Sequence, residues 1–519
     1  MKKENRGWRP GLCGLAVLLL VSSGSAGCAG GQKGGLPWKN RGQETETEGH
    51  SQEQPFSGQE NGQTEGGQTN GGQTEDGRTG AGQPGAGRTD AAGQVDQEGK
   101  EAVPEEFGKD AEKTARFDIP DEVSEPLPRR YDGREQGRTS PVKDQGELGT
   151  CWAFASMLSL ENALLPDEVW DFSEDHMSHD PSFHLGQEDG GEYTMAMAYL
   201  LSWQGPVTEE QDPYGDGFSP EHLKAVKHVQ QIRLLPEHDV DSIKRAVRQN
   251  GGVQSSMYTT VKSEADRSKY YNKDAAAYCC PEETAPNHDV VIVGWDDDFP
   301  KELFPVEVPG DGAFICENSW GTLFGENGFF YVSYFDKNLG KHNVTYSGIE
   351  APDNYDRIYQ SDLCGWTGQL GYGQETAWAA NVYRAETKQQ LEAAGFYAVD
   401  QATEYEIYVM TQVPETPAEN GFDSRRAVVK GTIADAGFYT IPFPEPVDLE
   451  PGERFAVIVR LTTPGAIHSI AVEYDTGDGK CRIDLTDGEG YISPDGERWE
   501  HVEESQNCNI CLKAYTRER

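Results

Sequence analysis

The residues best placed to do chemistry begin in the stretch Pro141–Ser156, where a thiol, Cys151, opens an apolar, helix-forming run from Trp152 to Asn162. A thiol at the first turn of a helix meets unpaired backbone N–H groups and the positive end of the helix dipole, and both favour a thiolate. Gln145 stands six residues ahead of Cys151. Its amide N–H can swing toward the same point and stabilise negative charge on a substrate oxygen. A thiol nucleophile also needs a base. The chain offers one far downstream in Asn287-His288-Asp289-Val290, followed by Glu317-Asn318-Ser319-Trp320-Gly321. Amide cleavage requires a nucleophile stronger than water, a proton donor for the leaving amine and a cradle for the tetrahedral oxyanion. Those four side chains supply the set.

The order Gln145, Cys151, His288, Asn318, with the histidine and asparagine well over a hundred residues past the cysteine, resembles the papain-like cysteine peptidases. The flanking residues extend the resemblance from Leu127 to about Asp336. Leu127–Arg134 looks like the segment that opens mature enzymes of this type, Ser173-Glu174 like the pair that begins the family's next helix, and Gly190-Gly191 like the glycine pair that lines its cleft. The resemblance implies Cys151 as nucleophile, His288 as its acid–base partner and Asn318 as the residue orienting the imidazole. Gln145 and the Cys151 N–H would form the oxyanion hole. Gly190 and Gly191 are expected to bind the substrate backbone, and Trp320 to sit at the cleft covering the Asn318–His288 contact. Two departures stand out. Leu148 and Glu188 replace a cysteine pair frequent in the family, and Asp289 follows the histidine where a small residue is usual. That acid either raises the pKa of the base or points into solvent.

The fold class is α+β. A two-lobed domain, helical lobe against β-barrel-like lobe with the site between them, is implied for residues 127–349. Within it, residues 241–250 form an amphipathic helix with Ile243 and Val247 on one face, and Gly251–Tyr258 alternates as a strand does. From about residue 350 short strands alternate with Gly, Pro and Asp turns, giving an all-β, sandwich-like domain over 350–519. Its place behind such an enzyme resembles the lectin-like domain of a bacterial group of these peptidases. Trp366, Trp378 and Trp499 are read first as core or surface residues and second as sugar-stacking platforms.

The chain has 519 residues, 88 acidic against 45 basic, and a formal net charge of −43. That field argues against nucleic acid or an anionic membrane surface as partner. Residues 1–28 read as an export signal, with Lys2, Lys3, Arg6 and Arg9 ahead of an apolar run, Leu12–Val21, too short to span a bilayer. Ser25-Ala26-Gly27-Cys28 resembles a bacterial lipoprotein site with Cys28 as the lipidated residue, although a larger aliphatic side chain is usual at the place of Ser25. Lipidation is favoured, and ordinary secretion with cleavage near Ala26 stays open. Either way the expected location is outside the cell, at the surface or secreted. Residues 29–103 form a Gly/Gln/Glu/Thr-rich tether, in pentads over 61–90. It is too polar to fold and spans about 50 Å as a coil. Residues 104–126 are a linker or a short pro-like segment, too short for the long helical inhibitor many such enzymes carry, so activity is expected once the chain has folded.

No cofactor or metal is expected. His176, His179, Asp180 and His184 have usable spacing but match a surface helix start, Asp296-Asp297-Asp298 reads as a solvated acidic loop, and Cys508-x-x-Cys511 lacks a second ligand pair. A disulfide among Cys364, Cys481, Cys508 and Cys511 is plausible in an exported chain, with connectivity open. The expectation is therefore an exported cysteine endopeptidase acting on protein or peptide, with a possible glycan or wall ligand for its C-terminal domain. Two alternatives are carried: an adhesin-type glycan-binding lipoprotein built on a non-catalytic papain-like scaffold, and a cysteine amidase or transpeptidase acting on wall peptides.

Overall fold

The computed structural model describes residues 16–19, 126–180, 182–261, 266–475 and 480–519. Cys28, the tether and residues 104–125 lie outside them. Among the described residues no helix is long and apolar enough to cross a membrane. Ala16–Leu19, inside the apolar run Leu12–Val21, lies antiparallel to Gly368–Gly371.

The nucleophile candidate begins the helix Cys151–Leu164, whose residues from Cys151 to Asn162 are all buried. A helix covered on every side is a core element, which explains why its sequence shows no polar stripe. It stops where Leu165 turns extended ahead of Pro166, as the residue before a proline must. Short helices follow at Glu174–Ser178 and Tyr193–Leu201. The Ser173 hydroxyl caps the first by accepting from the His176 N–H at 3.0 Å, a contact typically worth about 1 kcal/mol. The amphipathic stretch forms the helix Val240–Asn250, with Ile243 and Val247 fully buried.

The β-rich lobe is built on His288–Asp296, paired antiparallel with Ala313–Glu317 on one side and Val253–Met257 on the other. Phe329–Ser333 continues beyond Ala313–Glu317. Asn343–Glu350 and then His228–Leu235 continue beyond Val253–Met257. The sheet does not end there. Ala436–Tyr439, the start of the strand Ala436–Leu449, pairs with Gln231–Leu234 and carries the ladder on to Gln389–Ala398, Leu512–Glu518 and Arg357–Tyr359. Gly437 makes this junction possible. Its φ is +137°, and a Cβ there would meet the Ile232 carbonyl oxygen at 2.1 Å.

A second sheet runs in the order Arg426–Ile433, Thr403–Thr411, Arg454–Thr462, Thr376–Arg384, Gly490–Ser493, Glu500–His501. Its inner face (Ile407, Val457, Val459) meets Leu391, Phe396 and Ile441 of the first sheet in one apolar cluster, the sandwich expected of the C-terminal region. Another cluster joins Trp152, Met157 and Leu200 to Trp366, Tyr397 and Phe438. The two regions that the sequence sets in succession thus share a sheet, a core cluster and the Arg233–Asp435 ion pair at 2.7 Å.

Candidate active site

Each candidate side chain is delivered by a different element. Cys151 is 5% exposed at the head of its helix, and His288 is the first residue of its strand. Asn318 follows the end of the strand Ala313–Glu317, its N–H held by the Gly328 carbonyl at 3.0 Å. His288 Nε2 lies 2.8 Å from Asn318 Oδ1. The Ser319 N–H donates to that same oxygen at 2.9 Å, which identifies it as the amide carbonyl. Nε2 must then carry the ring hydrogen, leaving Nδ1 as the lone-pair nitrogen. Nδ1 is buried and has no hydrogen-bond partner among the described residues. The Trp320 ring stacks on the imidazole, centroids 4.5 Å apart at 29°.

Gln145 is anchored to the same segment. Its N–H donates to the Ser319 carbonyl at 2.8 Å, and the Gly321 N–H donates to the Lys143 carbonyl at 3.0 Å, so the two loops zip together. The Ser319 hydroxyl donates to Gln145 Oε1 at 2.6 Å, which fixes the amide's orientation. Gln145 Nε2 spends one hydrogen on the Leu148 carbonyl at 2.9 Å and keeps the other. Ser319 and Tyr214 are positioning residues to which sequence reasoning gave no role. The Tyr214 hydroxyl lies 2.6 Å from Thr150 Oγ1 and donates to the Gln145 carbonyl at 3.0 Å, tying the helix start to the glutamine loop. Ser319 could have been found, since it adjoins Asn318; Tyr214 lies far from the four candidates in sequence and gave no such signal.

The glycine pair borders the same helix start. The Gly149 N–H donates to the Gln187 carbonyl at 2.8 Å, and a Cβ on Gly191 would strike the Trp152 indole at 2.5 Å. Packing on Trp152 therefore demands glycine there whether or not a substrate backbone approaches. Asp289 does not point into solvent. It is buried, and its Oδ2 accepts from Gln254 Nε2 at 2.9 Å, while Gln254 Oε1 takes the Ser156 and Tyr346 hydroxyls at 2.8 and 2.9 Å. Below the helix, Lys143 Nζ sits 2.8 Å from each of Glu161, Asp171 and Glu174. Burial, set against Lys143, leaves Glu174 pushed up to about 8.

Burial also pushes the thiols of Cys279 and Cys508 up to about 12 and holds Cys316 and Cys511 well above the ordinary range. The histidines with metal-like spacing point elsewhere: His176 to the Tyr199 hydroxyl at 2.7 Å, His179 to the Asp175 carbonyl at 3.0 Å, His184 to Arg482. The acidic loop is partly paired, Asp297 with Lys244 at 2.5 Å and Asp298 with Arg129. Trp366 and Trp499 are buried, and Trp378 lies under the Arg425 guanidinium at 4.9 Å.

With this geometry in place, the comparisons are specific. Residues 127–349 match the papain family cysteine protease, and residues 358–516 match the lectin like domain. The chain carries a papain-family domain followed by a lectin-like domain. Two solved structures of Cwp84 span both. One, of the cysteine protease and lectin-like domains of this surface layer associated protein of Clostridium difficile, is 27% identical at a TM-score of 0.67, over 76% of this chain and 90% of that one. The other, a clostridial Cwp84 after propeptide cleavage, is 28% identical at a TM-score of 0.66, over 75% and 99%. Curated relatives include cathepsin K of Gallus gallus, 32% identical over 41% of this chain and 61% of its own length. Another is the cysteine protease Amb a 11.0101 of Ambrosia artemisiifolia, 26% identical over 40% and 50%. The chain spans about half the length of the curated relatives it matches.

Proposed function

We propose that the chain is an exported cysteine endopeptidase that hydrolyses peptide bonds in protein substrates. The observation that carries this reading is the tautomer imposed on His288: Asn318 and Ser319 together leave Nδ1 as the basic nitrogen. The Cys151 thiol gives its proton to that nitrogen as sulfur attacks the scissile carbonyl. The oxyanion that forms is met by the Cys151 backbone N–H and the second N–H of Gln145. His288 then protonates the departing amine, and water, deprotonated by the same nitrogen, releases the acyl group. Asn318 holds the ring through both steps, and Trp320 keeps water off its hydrogen bond. The Gly190-Gly191 strip borders the substrate chain. No cofactor enters this sequence.

The apolar run before Ser25-Ala26-Gly27-Cys28 and the surface-layer association of Cwp84 support a lipid-anchored or secreted enzyme held off the surface by the tether of residues 29–103. The lectin-like domain, residues 350–519, would hold it on a glycan or wall ligand. The test is cleavage of denatured casein by the full chain under reducing conditions, beside Cys151→Ala, with mass spectrometry of the products. Internal cleavage by the first and none by the second is expected. Silence in both would favour the scaffold reading, and acyl transfer to an added amine instead of to water the transpeptidase one.

A further inference from the structure

The segment Lys480–Arg482, ahead of the strand Gly490–Ser493, packs from the lectin-like region onto the peptidase-side segment Ser182–His184. The contact is strand-like: the His184 N–H donates to the Lys480 carbonyl at 2.8 Å, the Arg482 N–H to the Ser182 carbonyl at 2.9 Å, and Phe183 bridges Cys481 antiparallel. A second cysteine reaches the same place from another direction. The Cys364 thiol donates to the Ser182 carbonyl at 3.2 Å, the acceptor that Arg482 also uses, and lies 3.9 Å from the Arg482 carbonyl. Cys364 is 2% exposed, Cys481 is half-buried, and both pack into the apolar cluster that joins the two regions. The Cys364 thiol is held far above its ordinary value first by a hydrogen bond with Cys481 and then by burial. Two thiols of the lectin-like region thus meet where that region packs against the peptidase-side segment Ser182–His184.

We propose that Cys364 and Cys481 close into a disulfide that staples the lectin-like loop, and with it the Ser182–His184 segment, to the body of the lectin-like domain. The two thiols lose two protons and two electrons, which a low-molecular-weight disulfide such as oxidised glutathione accepts as its own S–S bond is cleaved to two thiols. The bridge spans a long stretch of chain, so it removes much freedom from the unfolded state. Its position matters as well. The stapled segment runs directly into Gly186–Gly191, and Gln187 there accepts the Gly149 N–H beside the nucleophile helix. Reduction of the bridge would free one border of the cleft without touching Cys151 or His288. A rival partner is Cys511, whose thiol donates to the Gly365 carbonyl at 3.4 Å, one residue from Cys364.

The experiment uses the full chain carrying Cys151→Ala, so that the nucleophile does not consume oxidant. The protein is treated with oxidised glutathione, alkylated, and mapped by mass spectrometry without reduction. A peptide pair joining Cys364 to Cys481, and an apparent Tm about 5 °C above that of the reduced protein, are expected. That shift should vanish in Cys481→Ser, whose half-buried site tolerates the change, and in Cys364→Ser. Alkylation of both cysteines singly, a Cys364–Cys511 link, or a bridge with no effect on Tm would overturn the proposal.

Discussion

Three buried asparagines show how differently the two regions handle polarity. In the lectin-like region Asn381 spends its amide nitrogen on the Tyr383 hydroxyl and the Ile510 and Leu512 carbonyls, and Asn509 spends its own on Ser361, Glu473 and Asp484. What each has to spare is Oδ1. In the peptidase region Asn318 does the reverse. Its oxygen serves His288 and Ser319, and its nitrogen, like His288 Nδ1, is buried without a hydrogen-bond partner among the described residues. An unsatisfied buried group costs about 1–3 kcal/mol, so a fold tolerates one where something else is gained. Around Lys513, where Asp362 and Gln360 accept at 2.7 and 2.8 Å, the gain is a fixed strand arrangement. Near Cys151 the gain, on the mechanism proposed above, is a ring nitrogen kept ready for proton transfer. The same physics builds scaffold in one region and leaves reactivity in the other.

If that contrast holds, substitutions should separate cleanly into losses of rate and losses of stability. The largest effect is expected for His288→Ala, with kcat/KM down by about 10⁴-fold or more and Tm nearly unchanged, read by peptide hydrolysis beside thermal melting. Lys513→Met should do the opposite. Leaving Asp362 buried without its cation costs about 3–5 kcal/mol in urea denaturation, with kcat/KM of the folded fraction unaltered. Asn318→Ala is expected to lower kcat/KM about 10²-fold, because the ring loses its tautomer but not its place, and a matched Asn509→Ala should change stability only.

The smallest effect is in pH dependence. Burial pushes the Glu317 carboxyl up to about 8 from its ordinary 4.5, so between those values the folded chain holds a proton the unfolded chain lacks. Its contribution to stability is complete below pH 4.5 and is lost as pH rises through 8. Glu317→Gln should therefore leave Tm unchanged near pH 4.5 and raise stability at pH 8, on the order of 2 kcal/mol. Equal melting of the two proteins at pH 8 would contradict this.

The candidate site was legible in the chain because the proposed chemistry demands particular residue types in a particular order; Gln145, Cys151, His288 and Asn318 could be proposed without any packing information. The helix Val240–Asn250 was legible because its apolar period is clean. Gln389–Ala398 was not. Its Gln, Leu, Glu and Ala residues favour helix, and it is a strand because Ala436–Leu449 and Leu512–Glu518 pair with it on both sides. The sheet shared between the domains was hidden for the same reason, since strand pairing across 200 residues leaves no local mark. Neither did Asp289, whose direction is set by Gln254 on a neighbouring strand.

The most direct test of the central claim is covalent labelling with a peptidyl epoxide. The full native chain should take up one equivalent, mapped by mass spectrometry to Cys151 alone, and His288→Ala should be labelled about 10²-fold more slowly. Labelling spread over several cysteines, or an unchanged rate in His288→Ala, would show that Cys151 is not the nucleophile that His288 activates.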